Sequence, residues 1–383
     1  MPGPMRVTVL SHDLSTNAGR RTHRLAGALG TFAEVKLIGP ASRSHRWVDL
    51  PDEPGIFTVR KRRWPDFHAS FAELVEAADG DVLIPVKPHL ASFAVALVAS
   101  ELRGVPVILD IDDLDVALSP RSGWASDPAT TDLSRPKSPL FVSLLTRATG
   151  AADAVTVCCH ALRRRFGGTV IPQPVDTELF EPSRVDRERA RREFGFDGPT
   201  VLFPGVPRPH KGLELLADAV ARIPGARLAV TCRPKDLAGP GWAGLPIDRV
   251  GIVPYPSAPA LYAAADVVAV PQLDDEAARH QMPLKAVDAM AMGRPIVASA
   301  VSDLPHVLDG CGRLVPAGDA GALTAAIGDL LVDGAEAREL GDRARARCLE
   351  RYSLERVGDR LAEVVGAVAP ALAPQLSGAG SAT

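Results

Sequence analysis

The feature that most constrains this chain is a regular alternation, repeated twice, of short β-branched runs with longer Ala/Leu-rich amphipathic runs. The first series reads RVTVL (Arg6 to Leu10), GRRTHRLAGALG (Gly19 to Gly30), EVKLI, FHASFAELVEAA, DVLIP, LASFAVALVASELRG, PVILDID, PLFVSLLTRATGAA, AVTVC, HALRRRF and TVIP. Strand and helix alternating at this spacing predict parallel βαβ units with helices on both faces of a sheet. The segment PQPVDTELFEPSRVD, Pro172 to Asp186, breaks the pattern with three prolines and polar residues, as an interdomain linker does. A second alternating series runs through TVLFPG, GLELLADAVAR, ARLAVT, RVGIV, ALYAAA, DVVAVP, PLKAVDAMAMG, RPIVAS and GRLVP. The expected class is α/β, with two Rossmann-like doubly wound domains facing a central cleft. The expected domains are 1–178 and 179–352, with a helix at about 353–368 returning to the first. The Ala/Pro/Gly/Ser-rich tail 369–383 is expected to be disordered.

Composition excludes several classes. Lys plus Arg (43) against Asp plus Glu (46) gives a net charge of -3, so no global field draws in nucleic acid. Five cysteines without C-x-x-C spacing form neither a disulfide framework nor a zinc pattern, which points to a reducing compartment. No stretch has the apolar core of a signal peptide or the roughly 20 apolar residues of a membrane span, so the expected location is cytoplasmic. Two basic runs with aromatics, Arg60 to Phe67 and His160 to Phe166, allow peripheral contact with an inner membrane face or an anionic acceptor; solvated faces are the plainer reading.

In Gly205 to Val220 a strand enters a loop carrying Arg208, His210 and Lys211, and a helix begins at about Gly212. Free N–H groups and the positive dipole end suit a diphosphate, with Arg208 and Lys211 adding charge; a solvated loop is the alternative. In Arg279 to Ser299, Pro283 fits a first helical position, so the amides of Gln281 and Met282 are candidates to meet an anion or a sugar hydroxyl. Lys285 and Asp288 share one helix face, either as an intrahelical pair or with Asp288 accepting from a ribose diol. In the first domain, PVILDIDD brings Asp110, Asp112 and Asp113 to a strand end, where they contact a sugar or cap a turn. Lys87 and His89, in VKPHLAS, are expected to face the same cleft.

The succession K-G-L-E-L-L, L-Y-A-A-A-D-V-V-A-V-P and P-L-K-A-V-D-A-M-A-M-G-R-P-I-V-A-S, with P-Q-P-V-D-T-E-L-F in the linker, resembles the retaining GT-B glycosyltransferases of family 4. The likeness covers nearly the whole chain and is strongest from about Val170 to Val315. It implies a nucleotide-diphosphate sugar as co-substrate, with no further cofactor and no metal. Arg208 and Lys211 would hold the diphosphate with Gly212 at the helix start, Asp288 the ribose, and the backbone near Val253 the base. Arg233 is a further candidate to face the donor. STNAGRR matches the family's glycine-containing donor loop, with Gly19 permitting close approach. The family carries two glutamates eight positions apart, where this chain has His280 and Asp288. Asp112 falls where the active-site His usually sits, so Asp112 and His280 are the catalytic candidates; Lys87, His89 and Asp113 are the acceptor candidates.

The implied activity is transfer of a sugar, with retention, to a hydroxyl of a small natural product, a lipid or a surface polysaccharide. The leaving phosphate itself is expected to take the hydroxyl proton. The Ala/Arg-rich composition hints at a bacterial genome of high GC content. Two rivals share the architecture: a sugar-nucleotide epimerase, and a noncatalytic sugar-nucleotide-binding partner.

Overall fold

A computed structural model of the chain describes residues 4–16, 18–42, 55–115, 132–237, 242 and 244–372. Backbone contacts divide it into two units, Met1–Pro174 with Leu354–Thr383, and Val175–Ser353.

The first unit is built on seven parallel strands: β1 (Arg6–Ser11), β2 (Glu34–Ala41), β3 (Ile56–Arg60), β4 (Val82–Val86), β5 (Ile108–Ile111), β6 (Ala154–Val157) and β7 (Thr169–Val170). Their order is β3-β2-β1-β4-β5-β6-β7. β1 pairs with β2 on one side and β4 on the other, in the registers Val7↔Val35 and Val7↔Val82. Winding therefore reverses between β1 and β4. In a doubly wound sheet such a switch point opens a crevice at the carboxyl ends of the strands. β4 is buried along its whole length, which is why it reads as an unbroken apolar run.

Helix Leu354–Val368 belongs to this unit and lies against helix Ala18–Leu29. Val357, Leu361, Val364 and Val365 recur at helical spacing and share one core with Leu25, Ala28 and Leu29. A Cβ on Gly358 would stand 2.7 Å from the Ala28 carbonyl oxygen, so only glycine allows the two backbones this close. From Ala18–Leu29, Arg21 reaches across to β5 and forms two bonds to Asp110, 2.8 and 3.0 Å. Its remaining N–H groups donate to the carbonyls of Ile171 and Pro172 and to Gln173 Oε1, while Arg24 donates to the Pro174 carbonyl. Two helical arginines thus hold the start of the linker.

The second unit has six parallel strands: β8 (Thr200–Phe203), β9 (Arg227–Val230), β10 (Ile247–Arg249), β11 (Val267–Val270), β12 (Ile296–Ser299) and β13 (Arg313–Val315). The order β10-β9-β8-β11-β12-β13 places the switch point between β8 and β11.

Three elements differ from expectation. β3 carries an edge-strand burial pattern with only Val59 fully buried, so its apolar signal is weak. Helix Arg187–Phe194 buries only Ala190; it is held by its Asp186 cap and by Arg187 and Arg191 bonding Asp266. The run RVGIV, expected as a strand, contributes only Arg249 to β10, and Gly251 then turns with φ +84°. The tail forms one 3₁₀ turn at Pro370–Leu372; the disorder expected for 373–383 lies outside the described residues.

Candidate functional site

In the second unit the switch point carries a cationic loop. β8 ends at Phe203, and the chain passes through Gly205, at φ +132°, whose amide donates to Thr231 Oγ1 at 2.6 Å. A Cβ at Gly205 would lie 3.8 Å from Lys285 Nζ and 4.0 Å from Lys211 Nζ. Two ammonium groups from separate elements therefore converge beside a residue that presents no side chain. Lys285 Nζ also sits 3.7 Å from the centroid of the Phe203 ring, and Lys211 Nζ donates to the Val206 carbonyl at 3.1 Å. Like charges brought together repel unless an anion joins them. Lys211 closes the 3₁₀ turn Pro209–Lys211, and helix Leu213–Ala221 starts two residues later, so the helix N-terminus opens from the same loop. Gly212 has φ +65°, and a Cβ there would meet the Pro271 carbonyl oxygen at 2.0 Å. No other residue fits that joint.

The other donor-side candidates take different places. Asp288 is 3% exposed within helix Leu284–Ala291 and accepts from the Tyr262 hydroxyl at 3.4 Å. Lys285 and Asp288, expected on one face, lead to different neighbours, Phe203 and Tyr262. Pro283 caps that helix with extended ψ 118° and is not its first residue. The Gln281 amide bonds the Ala278 carbonyl at 3.3 Å, which takes it from the anion-binding role expected of it. Met282 is buried and Val253 half-buried. Arg208 is exposed, and the Arg233 guanidinium is held by Asp236 at 3.0 and 3.1 Å. His280 ends helix Glu276–Arg279, its Nδ1 donating to the Glu276 carbonyl at 2.8 Å. That bond fixes the tautomer, so neutral His280 presents Nε2 as an acceptor.

In the first unit the carboxyl ends of β1, β4 and β5 gather a buried charge cluster. Lys87, 5% exposed, directs Nζ to Asp113 at 2.5 Å, Asp115 at 3.0 Å and Asp112 at 3.4 Å. Its backbone is left-handed, φ +69°, a conformation a non-glycine residue holds only where its surroundings enforce it. The Asp110 carbonyl accepts from the Lys87 amide and Ser92 Oγ donates to the Lys87 carbonyl, which fixes it from both sides. His89 Nε2 meets Asp115 Oδ2 at 3.2 Å, and His12 stacks on His89 with centroids 4.0 Å apart. Asp13 beside them receives Lys61 at 2.8 Å and Lys137. Gly19 lies in the first turn of Ala18–Leu29, its amide bonded to the Thr16 carbonyl.

The charges in this cluster settle unequally. Burial alone would lower the Lys87 ammonium, but the three carboxylates outweigh it and hold its pKa well above the usual value. Burial likewise opposes ionisation of Asp115, yet Lys87 and His89 hold its carboxyl well below the carboxylate range. Asp112 goes the other way: burial pushes it up to about 7, with Asp113 adding and Lys87 opposing. Burial, then His89, Lys137 and Lys87, push the His12 imidazole well below its ordinary value. Because the folded pKa of Asp112 is raised, its contribution to stability is present below the unfolded value of about 4 and is lost as pH rises through about 7. Asp112→Asn is expected to flatten that window and to raise stability at pH 8 by on the order of a few kcal/mol, read from melting temperature against pH.

Asp110, at the strand end with Asp112 and Asp113, is occupied by Arg21 and by Thr156 Oγ1 at 2.8 Å. Among the described residues no group of His, Cys, Asp and Glu is arranged to hold a metal ion, and no helix is long and apolar enough to cross a membrane. In the basic run Arg60 to Phe67, Lys61 bonds Asp13, Arg62 bonds Glu73, and Arg63 pairs with Asp132. His12, Asp13 and Asp115 were not singled out in the sequence. The first two directly follow β1, and their place at a strand's carboxyl end was the available signal.

A family model described as "Glycosyl transferase 4-like domain" matches residues 16–178, and one described as "Glycosyl transferases group 1" matches residues 198–333. The chain belongs to the group 1 glycosyltransferases, and its two Rossmann-like units have the α/β GT-B fold. It is 36% identical over 201 residues to an MMP α-(1→4)-mannosyltransferase of Mycolicibacterium hassiacum, covering 49% of this chain and 45% of the relative. It is 32% identical over 255 residues to a GDP-mannose-dependent α-(1-6)-phosphatidylinositol monomannoside mannosyltransferase of Mycolicibacterium smegmatis, covering 59% and 65%. These alignments span less than two thirds of either relative's length. Among solved structures, Anabaena HepE in complex with UDP-glucose superposes with TM-score 0.70 at 17% identity, covering 95% of this chain and all of that one.

Proposed function

We propose that the chain is a retaining glycosyltransferase that moves a sugar from a nucleotide-diphosphate sugar to a hydroxyl of an acceptor. The observation that carries this reading is the convergence of Lys211 and Lys285 beside Gly205 at a helix N-terminus. Two cations and a set of free amides match the charge of a diphosphate, and they match it best as the sugar departs. In the reaction the acceptor oxygen bonds to the anomeric carbon while the bond from that carbon to the diphosphate breaks. The electron pair passes to the diphosphate, whose charge Lys211 and Lys285 stabilise, and the hydroxyl proton passes to the leaving phosphate. Asp288, buried beside Tyr262, is assigned to the ribose hydroxyls, and the Val253 stretch to the base.

The acceptor is assigned to the Lys87 cluster, where His89, Asp112 and Asp113 offer a mixed set of donors and acceptors suited to a polyol. The relatives favour GDP-mannose as the first donor to test, with UDP-glucose second by likeness to HepE. The test is a thermal-shift screen against UDP-, GDP-, ADP- and TDP-sugars. One family of ligands is expected to raise the melting temperature; no shift with any of them would overturn the reading. Incubating the bound donor alone separates an epimerase, which converts it without acceptor.

A further inference from the structure

Gln272 stands two residues beyond β11, at the β8/β11 switch point, and was not singled out in the sequence. Its side chain is almost completely buried, and among the described residues neither Oε1 nor Nε2 has a hydrogen-bond partner. A buried primary amide bonded at neither end has given up water without compensation, so its place in a core is a cost to the ligand-free fold. Its neighbours press against the cationic turn. The Pro271 carbonyl oxygen abuts Gly212, and the Leu273 amide donates to the His210 carbonyl at 2.9 Å. Gln272 is thus anchored on both sides to the segment that carries Lys211.

We propose that the Gln272 amide reads the hydroxyls of the transferred sugar, Nε2 donating to one and Oε1 accepting from its neighbour. This rests on the sugar-nucleotide reading above. Stoichiometry selects the sugar over the diphosphate: a phosphate oxygen only accepts and would leave Oε1 unbonded, whereas a pair of hydroxyls satisfies both atoms. The ribose is assigned elsewhere, to Asp288. Contacts of this kind close when ligand enters, as a loop side chain adjusts. A site that hydrogen-bonds a hydroxyl through buried groups discriminates strongly, because a sugar lacking that hydroxyl leaves the amide unpaired.

The test is calorimetric titration of the full chain and of Gln272→Leu with four ligands: GDP, GDP-mannose, UDP and UDP-glucose. Leucine keeps most of the volume and removes both polar atoms. The variant is expected to melt no lower than wild type, since no protein hydrogen bond is lost, and to bind the nucleoside diphosphate unchanged. Its affinity for the matching sugar nucleotide is expected to fall about tenfold or more. Equal losses for diphosphate and sugar nucleotide would place the amide on the phosphate or ribose and overturn the proposal, as would no loss at all. If leucine does not fold, Gln272→Met, unbranched and of similar length, makes the same comparison. Where wild type binds none of the four, the ADP and TDP pairs replace them, and binding to none of these shows instead that the sugar-nucleotide reading itself has failed.

Discussion

Lys211→Ala lowers sugar-nucleotide turnover by roughly 10²–10³-fold, the scale of removing one preorganised charge from a developing anion. The leaving diphosphate gains negative charge as the bond to the anomeric carbon breaks, so a cation fixed beside it is worth more in the transition state than with bound substrate. The loss is therefore expected mainly in kcat, with a smaller rise in donor KM. The fold is expected to survive, because Lys211 is half-buried and its ammonium donates to the Val206 carbonyl of its own loop. Lys285→Ala is expected to act in the same direction. Because both ammonium groups approach Gly205 closely, the double variant should lose less than the product of the single losses. Steady-state kinetics on the three variants, beside their melting curves, check this.

Arg21→Met destabilises the first unit by about 3–5 kcal/mol, because it leaves the Asp110 carboxylate buried without its cation. Both partners are essentially sealed, 1% and 0% exposed as side chains, so water cannot replace the lost bonds. Thr156 Oγ1 is the remaining donor to Asp110. The same substitution frees the carbonyls of Ile171 and Pro172 and the Gln173 amide, which begin the linker. Arg21 stays charged throughout, since Asp110 more than offsets the burial that would lower its pKa. In a unit of this size the change corresponds to a fall in melting temperature of about 6–20 °C. Removing both charges with Arg21→Met and Asp110→Leu should recover part of it, because an unpaired buried charge costs more than a missing pair. A melting temperature within a degree of wild type for Arg21→Met would show that the pair contributes nothing.

Much of the architecture was legible because parallel strands covered on both faces must be apolar throughout. RVTVL, DVLIP and DVVAVP announce themselves in that way, and the glycine-closed amphipathic runs between them mark the helices. β3 escaped because an edge strand needs one good face, and IFTVR buries only Val59 fully. Helix Arg187–Phe194 escaped because its stability comes from arginines bonding carbonyls and Asp266, which no periodicity reports. At the site, residue types and strand ends pointed to Lys87, His89, Asp112, Lys211 and Asp288. Partners were not readable. Lys285 seemed as fit to pair with Asp288 as to meet a ligand, and only the fold sets it over Phe203 beside Gly205. Asp110 and Asp112 share one strand end in the sequence, and the fold gives one to Arg21 and the other to Lys87. Gln272 carried no signal beyond its position after a strand, because an amide declares itself only when its neighbours leave it unbonded.

The central claim is that this chain breaks a sugar-diphosphate bond at the Lys211/Lys285 site. Release of nucleoside diphosphate, followed by chromatography after incubation with UDP-, GDP-, ADP- or TDP-sugars and a polyol acceptor panel, tests it most directly. The account predicts that wild type releases the diphosphate from one donor class and that Lys211→Ala nearly abolishes the release. Diphosphate release that persists in Lys211→Ala, or an isomerised sugar nucleotide with no diphosphate released, would contradict it.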